Sequence, residues 1–480
     1  MRSDKLSTNY IFNLLNRIVI LVIPLITTPY LTRVLGSEEL GLFNYANTIA
    51  LYYVMVAMMG MTILGNKRIS LARTENAIDK EFSSLISIQV FNTIVCVIAY
   101  LVYIAVFCKA NKIIAFIQLF YLLSAMFDVT WFWQGLEKFK YIAIRNVFVN
   151  TITTALIFLF VRKSEDIVIY TVIKCVSILI SQLVLVFSCI KEVHWVKPNR
   201  NDIKITYKQL LVFFIPVAAE SIFHNMDRVM LGAMVGYSAV AIYYTSRMIT
   251  DIPQCLVTSI NTIMYPRVTA LVGKKKDEDA SSLTYYSFVL INAVCVAMAF
   301  GVAAIAKDFV AFYLGADYQY CAISIPWLAP YIVLAAWNGT IRYQCLLPKS
   351  MEKVYSKAIV MGIVCNLLLN ALLIGKLGVI GAILATIISE LVTAIIQTVP
   401  VYNEMRIKNH LINIIVFCIS GVLMYFVVDV ISKYLSINII AKVMMEIIGG
   451  IMVYVPITLI GIMIVDKNIK SIIRNKLRKG

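Results

Sequence analysis

Charge is what this sequence has least of: Asp, Glu, Lys and Arg make up 14% of its 480 residues, roughly half the share found in soluble domains. Histidine is nearly absent, with three residues. The 10 cysteines (Cys96, Cys108, Cys175, Cys189, Cys255, Cys295, Cys321, Cys345, Cys365, Cys418) are scattered singly, without a CxxC pair. Zinc-ligand spacing is therefore missing, the thiols read as inert apolar filler, and no metal is expected. Long polar segments are missing too. The longest loop, around residues 191–208, contains one Glu and one Asp, and no glycine-rich phosphate cradle or Walker-like motif occurs. ATP hydrolysis and sugar transfer have no visible home, so the expectation is no catalytic residues, no cofactor and no enzyme.

What is present is apolar. Hydrophobic residues make up 61% of the chain and the mean hydropathy is +0.84, more than a soluble core can hide. Runs of about 20 apolar residues, the length that spans a bilayer, recur throughout. Fourteen spans are read at 10–32, 41–65, 83–107, 113–135, 146–161, 167–190, 209–235, 237–265, 284–306, 321–347, 357–375, 377–401, 411–431 and 440–465. The first begins near Tyr10, is longer than a signal-peptide core and is expected to stay as a span.

The net charge of +17 is a topology signal and not a nucleic-acid footprint, because the Lys and Arg residues sit in alternate short loops. Lys67, Arg68, Arg73 and Lys80 share one side with Lys138, Lys140 and Arg145, and with Lys191, Lys197, Arg200, Lys204 and Lys208. By the positive-inside rule both termini are expected in the cytoplasm. The basic stretch after Val465 reads as a flank resting on anionic membrane lipid.

The first six spans recur about 200 residues later with the same orientation. Aligning Pro24 with Pro216 sets LGLFNYAN (40–47) over VAIYYTSR (240–247), and DVTWFWQG (128–135) over NGTIRYQC (338–345), with Thr130 on Thr340 and Gln134 on Gln344. Two parallel repeats facing each other favour alternating access. The expected organisation is a six-helix lobe over 1–208, a second over 209–410, and two additional helices with a basic tail over 411–480.

Ionisable residues inside spans cost roughly 2.5–3.5 kcal/mol each at a helix centre, so most must face a wet cavity or a partner. Arg17, Lys174 and Arg342 have no acid three or four residues away on their own helix. An anionic ligand, for which a phosphate is well suited, or an acid from another helix such as Asp128 or Glu390 would neutralise them. Arg247 and Asp251 are four apart, so the pair either neutralises itself or presents Arg247 to a ligand. Glu220, His224 and Asp227 form one helical stripe with Arg228: a proton or cation coupling site, or a static ion-pair network. Pro24, Pro29, Pro216, Pro253, Pro326 and Pro330 permit bends in the same spans.

The segment PLITTPYLTRVLGSEELGLFNYANTI (Pro24 to Ile49), followed by KRISLAR, resembles the polysaccharide biosynthesis and oligosaccharide flippase family of the multidrug, oligosaccharidyl-lipid and polysaccharide (MOP) exporter superfamily. So do WFWQGLEKFKYIAIRN (Trp131 to Asn146), DRVMLG (Asp227 to Gly232), FYLGADY (Phe312 to Tyr318) and GVIGAILAT (Gly378 to Thr386). The resemblance covers about the first 400 residues and implies an all-α membrane fold of two six-helix lobes arranged as a V, usually with two extra helices. It implies a polyprenyl-diphosphate-linked oligosaccharide as cargo, flipped from the cytoplasmic to the outer leaflet of a bacterial cytoplasmic membrane for O-antigen, capsule or exopolysaccharide assembly. A cationic lumen is typical of such families, which makes Arg17, Lys174, Arg247 and Arg342 the diphosphate candidates. Glu220, His224 and Asp227 are the candidates for coupling to H+ or Na+. Partner polymerases or glycosyltransferases would bind the basic loops; no nucleic acid is expected. The alternatives within the fold are a lipid II flippase and a multidrug or cation antiporter.

Overall fold

A computed structural model describes residues 22–75, 77–108, 111–403, 405, 407–435 and 437–465. Among them every regular element is a helix. We number these α1 (22–34), α2 (Gly36–Met58), α3 (Met61–Glu75), α4 (Ile78–Val106), α5 (Lys112–Ser124), α6 (Thr130–Gly135), α7 (Phe139–Phe160), α8 (Ile167–Cys189) and α9 (Arg200–Met234). The chain continues through α10 (Tyr237–Gly273), α11 (Asp277–Tyr313), α12 (Cys321–Ile341), α13 (Glu352–Leu377), α14 (Val379–Thr398), α15 (Ile407–Tyr434) and α16 (Ile439–Val465).

Thirteen helical stretches among the described residues are long and apolar enough to cross a membrane. They coincide one for one with the second to fourteenth expected spans; the first expected span lies partly outside the described residues. Composition and burial agree, because the helices wear their apolar residues outside: Phe148, Ile215, Phe426 and Met452 are exposed, whereas Gln89, Thr250, Ser324 and Ser389 are buried. That inverts a water-soluble surface and suits a lipid solvent, in which helices associate through packing and interhelical hydrogen bonds. The chain is a multi-pass membrane protein.

Helix ends depart from the hydropathy reading. α9 begins at Arg200 and runs 35 residues, while α10 and α11 run 37 each, about 55 Å for the longer two at 1.5 Å per residue. That exceeds the roughly 30 Å of hydrocarbon, so their polar first and last turns extend the helix beyond the apolar run. α9, α10 and α12 continue through Pro216, Pro253, Pro266, Pro326 and Pro330.

The chain divides into two compact units, Met1–Gly232 and Ala233–Gly480. In the first, α2 packs on α4, α5 and α8, α4 on α5, α5 on α8, and α7 on α8. In the second, α10 packs on α11, α12 and α14, α11 on α12, α12 on α14, and α13 on α14. The same packing pattern thus occurs twice, as the repeated sequence anticipates. One difference is local: α2 and α3 are separated by Met59 and Gly60, both at positive φ, where α10 is one unbroken helix.

The WFWQG motif builds one core cluster of the first unit. Trp131, Phe132 and Trp133 are fully buried among Leu64, Ile69, Leu85, Leu185 and Leu210, and Trp131 Nε1 donates to Gln89 Oε1 at 3.0 Å. In the GVIGAILAT motif, Gly378 at φ +57° makes the reversal between α13 and α14, a conformation that costs a residue with a Cβ far more. α15 and α16 belong to the second unit and dock on α11. Asn413 Nδ2 donates to Tyr285 Oη at 3.2 Å, Tyr454 Oη donates to the Ala293 carbonyl at 2.8 Å, and His410 lies between the Tyr285 and Phe288 rings.

Candidate functional site

The second unit holds a polar seam where α10, α12 and α14 meet. Tyr243 and Thr386 share a hydrogen bond of 2.9 Å, Ser246 and Ser324 one of 2.6 Å, and Gln254 Nε2 donates to the Ile332 carbonyl at 3.0 Å. Further along, Gln344 Nε2 donates to Asn261 Oδ1 at 2.8 Å and Ser287 Oγ at 3.0 Å. Each bond joins two helices that hydropathy alone would leave free to slide.

Arg247 lies in this seam and is 6% exposed. Its guanidinium stacks on the Tyr331 ring, 3.6 Å from centroid to Cζ, and its Nε donates to Asp251 Oδ1 at 3.2 Å. Glu390 of α14 lies close enough to interact with the same cation. Asn338 of α12 positions that acid by donating to its carboxylate at 2.6 Å and to its backbone carbonyl at 3.0 Å. A buried arginine thus has two acids and an aromatic face around it. Among the described residues neither Nη group of Arg247 donates to a protein acceptor. Those two groups form the fork that matches a carboxylate or phosphate edge, and the Asp251 side chain beside them is 44% exposed.

The other residues singled out by sequence lie elsewhere. Arg342 sits on a π-helical turn (Arg342–Leu346) at the end of α12, stacked on Tyr355 at 4.2 Å and Tyr343 at 4.9 Å. In the first unit, Lys174 of α8 is half-buried and makes no ion pair with a described residue. Its neighbour Cys175 and Asn47 of α2 both donate to Gln118 Oε1 of α5, at 3.4 and 3.2 Å. Arg17 lies outside the described residues. Of the seventh-span stripe on α9, Asp227 is buried, and Tyr52 of α2 lies within its electrostatic reach; Glu220 and His224 are exposed. Gly232, which ends the DRVMLG motif, faces Tyr45 so closely that a Cβ there would collide with the ring. The glycine is what lets α9 approach α2.

Sequence reading treated several basic residues only as loop charges, and the structure gives them partners. Arg68 of α3 donates to Glu81 of α4 at 2.9 Å and to Thr206 and Gln209 of α9 at 2.7 and 2.9 Å. Lys80 pairs with Asp202 and Lys138 with Glu192. Arg145 is buried and donates to Gln182 Oε1 at 2.9 Å and to the Ser181 carbonyl. Their partners lie up to 141 residues away in sequence, so no local spacing marks them. A second omission lies in α16: Lys442 and Glu446 join Asp308 of α11 in a buried cluster. The i, i+4 spacing of Lys442 and Glu446 within an apolar run was the available signal.

The chain is similar to known proteins in sequence and in fold. A family model described as "Polysaccharide biosynthesis protein" matches residues 6–272. A putative O-antigen transporter of Shigella dysenteriae is 24% identical over 374 residues, covering 76% of this chain and 92% of that protein. Among solved structures, the lipid II flippase MurJ in an inward closed conformation aligns with a TM-score of 0.69 at 16% identity, over 95% of this chain and 99% of that one. An inward-facing multidrug resistance MATE family transporter of the MOP superfamily gives 0.60 at 11% identity, over 80% and 96%. At such identities the likeness shows the fold, which is the all-α membrane fold of that superfamily.

Proposed function

Because the chain belongs to the polysaccharide biosynthesis protein family, within the MOP exporter superfamily, we propose that it is a flippase for a polyprenyl-diphosphate-linked oligosaccharide. It carries the repeat unit from the cytoplasmic to the outer leaflet of a bacterial cytoplasmic membrane, with both termini in the cytoplasm, for surface polysaccharide assembly. The relative's name as an O-antigen transporter supports the cargo class. The twofold packing pattern supports alternating access between two six-helix repeats.

The observation that carries the reading is Arg247, a cation buried in the polar seam with both Nη groups uncommitted among the described residues. A diphosphate supplies the anion that such a fork fits, while the sugars travel in a wet path and the prenyl chain stays in lipid. Arg17, Lys174 and Arg342 are the further contacts in this proposal, and Glu220, His224 and Asp227 the groups that couple it to H+ or Na+. The test is movement of a fluorescent polyprenyl-diphosphate oligosaccharide in proteoliposomes, against a cationic dye, with wild type and Arg247→Ala side by side. Movement of the lipid-linked sugar that falls at least tenfold in the variant is expected. Transport of the dye alone, indifferent to Arg247, would replace this reading with a cation antiporter.

A further inference from the structure

The second unit buries more negative than positive charge at one place. Asp308 near the end of α11 accepts from Ser432 Oγ of α15 at 2.6 Å and from Lys442 Nζ of α16 at 2.8 Å, both on Oδ2. One turn along α16 from Lys442 stands Glu446, 1% exposed and within interaction range of Asp308, Lys442 and Ser432. Both Glu446 oxygens are buried, and neither receives a hydrogen bond from any described residue. Asp308 therefore holds the one ammonium, and Glu446 stands near that pair with no bonded cation among the described residues.

No other described charge makes up the difference. The helices packed on α16 are α11 and α15. On α15, Asp429 and Lys433 are closed on each other at 2.6 Å. On α11, Lys307 is exposed. A carboxylate with no donor is not kept ionised in an apolar setting; it is neutralised instead, and two carboxyl groups facing each other do so by sharing a proton. A metal cation would need several more oxygen ligands and would lie against the Lys442 ammonium. A proton needs only one carboxyl acceptor within reach, and Asp308 lies within interaction range of Glu446.

We propose that Asp308 and Glu446 form an intramembrane proton-binding site, in which one proton taken from water resides on the Glu446 carboxyl and is donated to Asp308. Lys442 and Ser432 hold the other contacts of Asp308 and leave the Glu446 proton as the site's exchangeable charge. Asp308 and Lys442 are 15% and 17% exposed, which gives the proton a route to solvent at this end of the helices. On the proposed topology that end faces the cell exterior. The site is distinct from the α9 stripe, and its readout needs no transported substrate, so it stands or falls independently of the flippase reading.

The experiment is infrared spectroscopy of the full-length protein in lipid nanodiscs, titrated from mildly acidic to alkaline pH, with melting temperatures recorded alongside. Wild type is expected to show the carbonyl band of one protonated, buried carboxyl at neutral pH, lost as pH rises. Glu446→Gln removes that band and melts with wild type at neutral pH, because a neutral amide replaces a neutral acid. Asp308→Asn also removes it at neutral pH, because Glu446 then ionises against Lys442. Identical bands in wild type and Glu446→Gln would overturn the proposal, as would a band unchanged in Asp308→Asn. A Glu446→Gln protein melting well below wild type would overturn it too, since that marks an ionised Glu446 held by Lys442.

Discussion

The two units place different chemistry at the same point of the repeated sequence. In the alignment that sets 40–47 over 240–247, Asn47 of α2 corresponds to Arg247 of α10. Asn47 donates to Gln118 of α5, and no charge is needed to hold it. Arg247 instead stacks on Tyr331 of α12, pairs with Asp251 and draws on Glu390 of α14. The helices that meet are equivalent, α2 with α5 and α8 in one case and α10 with α12 and α14 in the other. A duplicated scaffold has kept its packing and changed its polarity, so architecture and charge respond to different demands. The acids gathered around Arg247 compensate a cation that the first unit does without.

The largest expected effect comes from erasing that difference. Arg247→Asn writes the first unit's residue into the second and leaves Asp251 and Glu390 without their cation. Leaving the buried Glu390 carboxyl without its cation costs about 3–5 kcal/mol. Flipping of the lipid-linked oligosaccharide in proteoliposomes should fall at least 100-fold while the protein still inserts and elutes as a single species. Wild-type flipping by this variant would mean that the asymmetry is structural.

A smaller effect is expected from the other side. Asn47→Ala removes a donor from Gln118 without touching a charge, so stability should drop by about 1–3 kcal/mol and transport by less than threefold. The melting temperature and the initial flipping rate separate the two outcomes, and a transport defect as large as that of Arg247→Asn would erase the distinction between the units. Smallest should be Arg342→Lys, which keeps a cation over Tyr355 and Tyr343. A flipping rate within about twofold of wild type fits a cation–π contact worth about 1 kcal/mol, and complete loss would show that the planar fork is required.

The sequence made the membrane spans legible because each is a composition signal confined to about 20 neighbouring residues. The duplication was legible because whole motifs recur. Pairing was not: Arg68 finds Gln209 and Lys138 finds Glu192 only after helices have packed, and in the sequence these residues look like loop charge. The WFWQG motif resembles a family mark in the sequence, and the structure adds that its rings fill one core cluster of the first unit. Arg247 and Asp251 were visible as a spacing, whereas Tyr331 and Asn338, which hold the cation and its second acid, carry no charge and gave no signal. The acid in α16 gives little signal in the sequence because one Glu in an apolar run barely alters its hydropathy.

The unbroken course of α10 has a mechanical meaning. From Arg247 to its end at Gly273 the helix is a rod of about 39 Å at 1.5 Å per residue, with Pro253 and Pro266 inside it but no residue at positive φ. Its counterpart carries a joint at Met59 and Gly60, where the chain turns before α3 resumes. Any bend in this part of α10 is therefore confined to Pro253 and Pro266 within a continuous helix, while α2 and α3 meet at an elbow of left-handed backbone. Of the two arms, the one that bears the buried cation is the one that runs as a single helix.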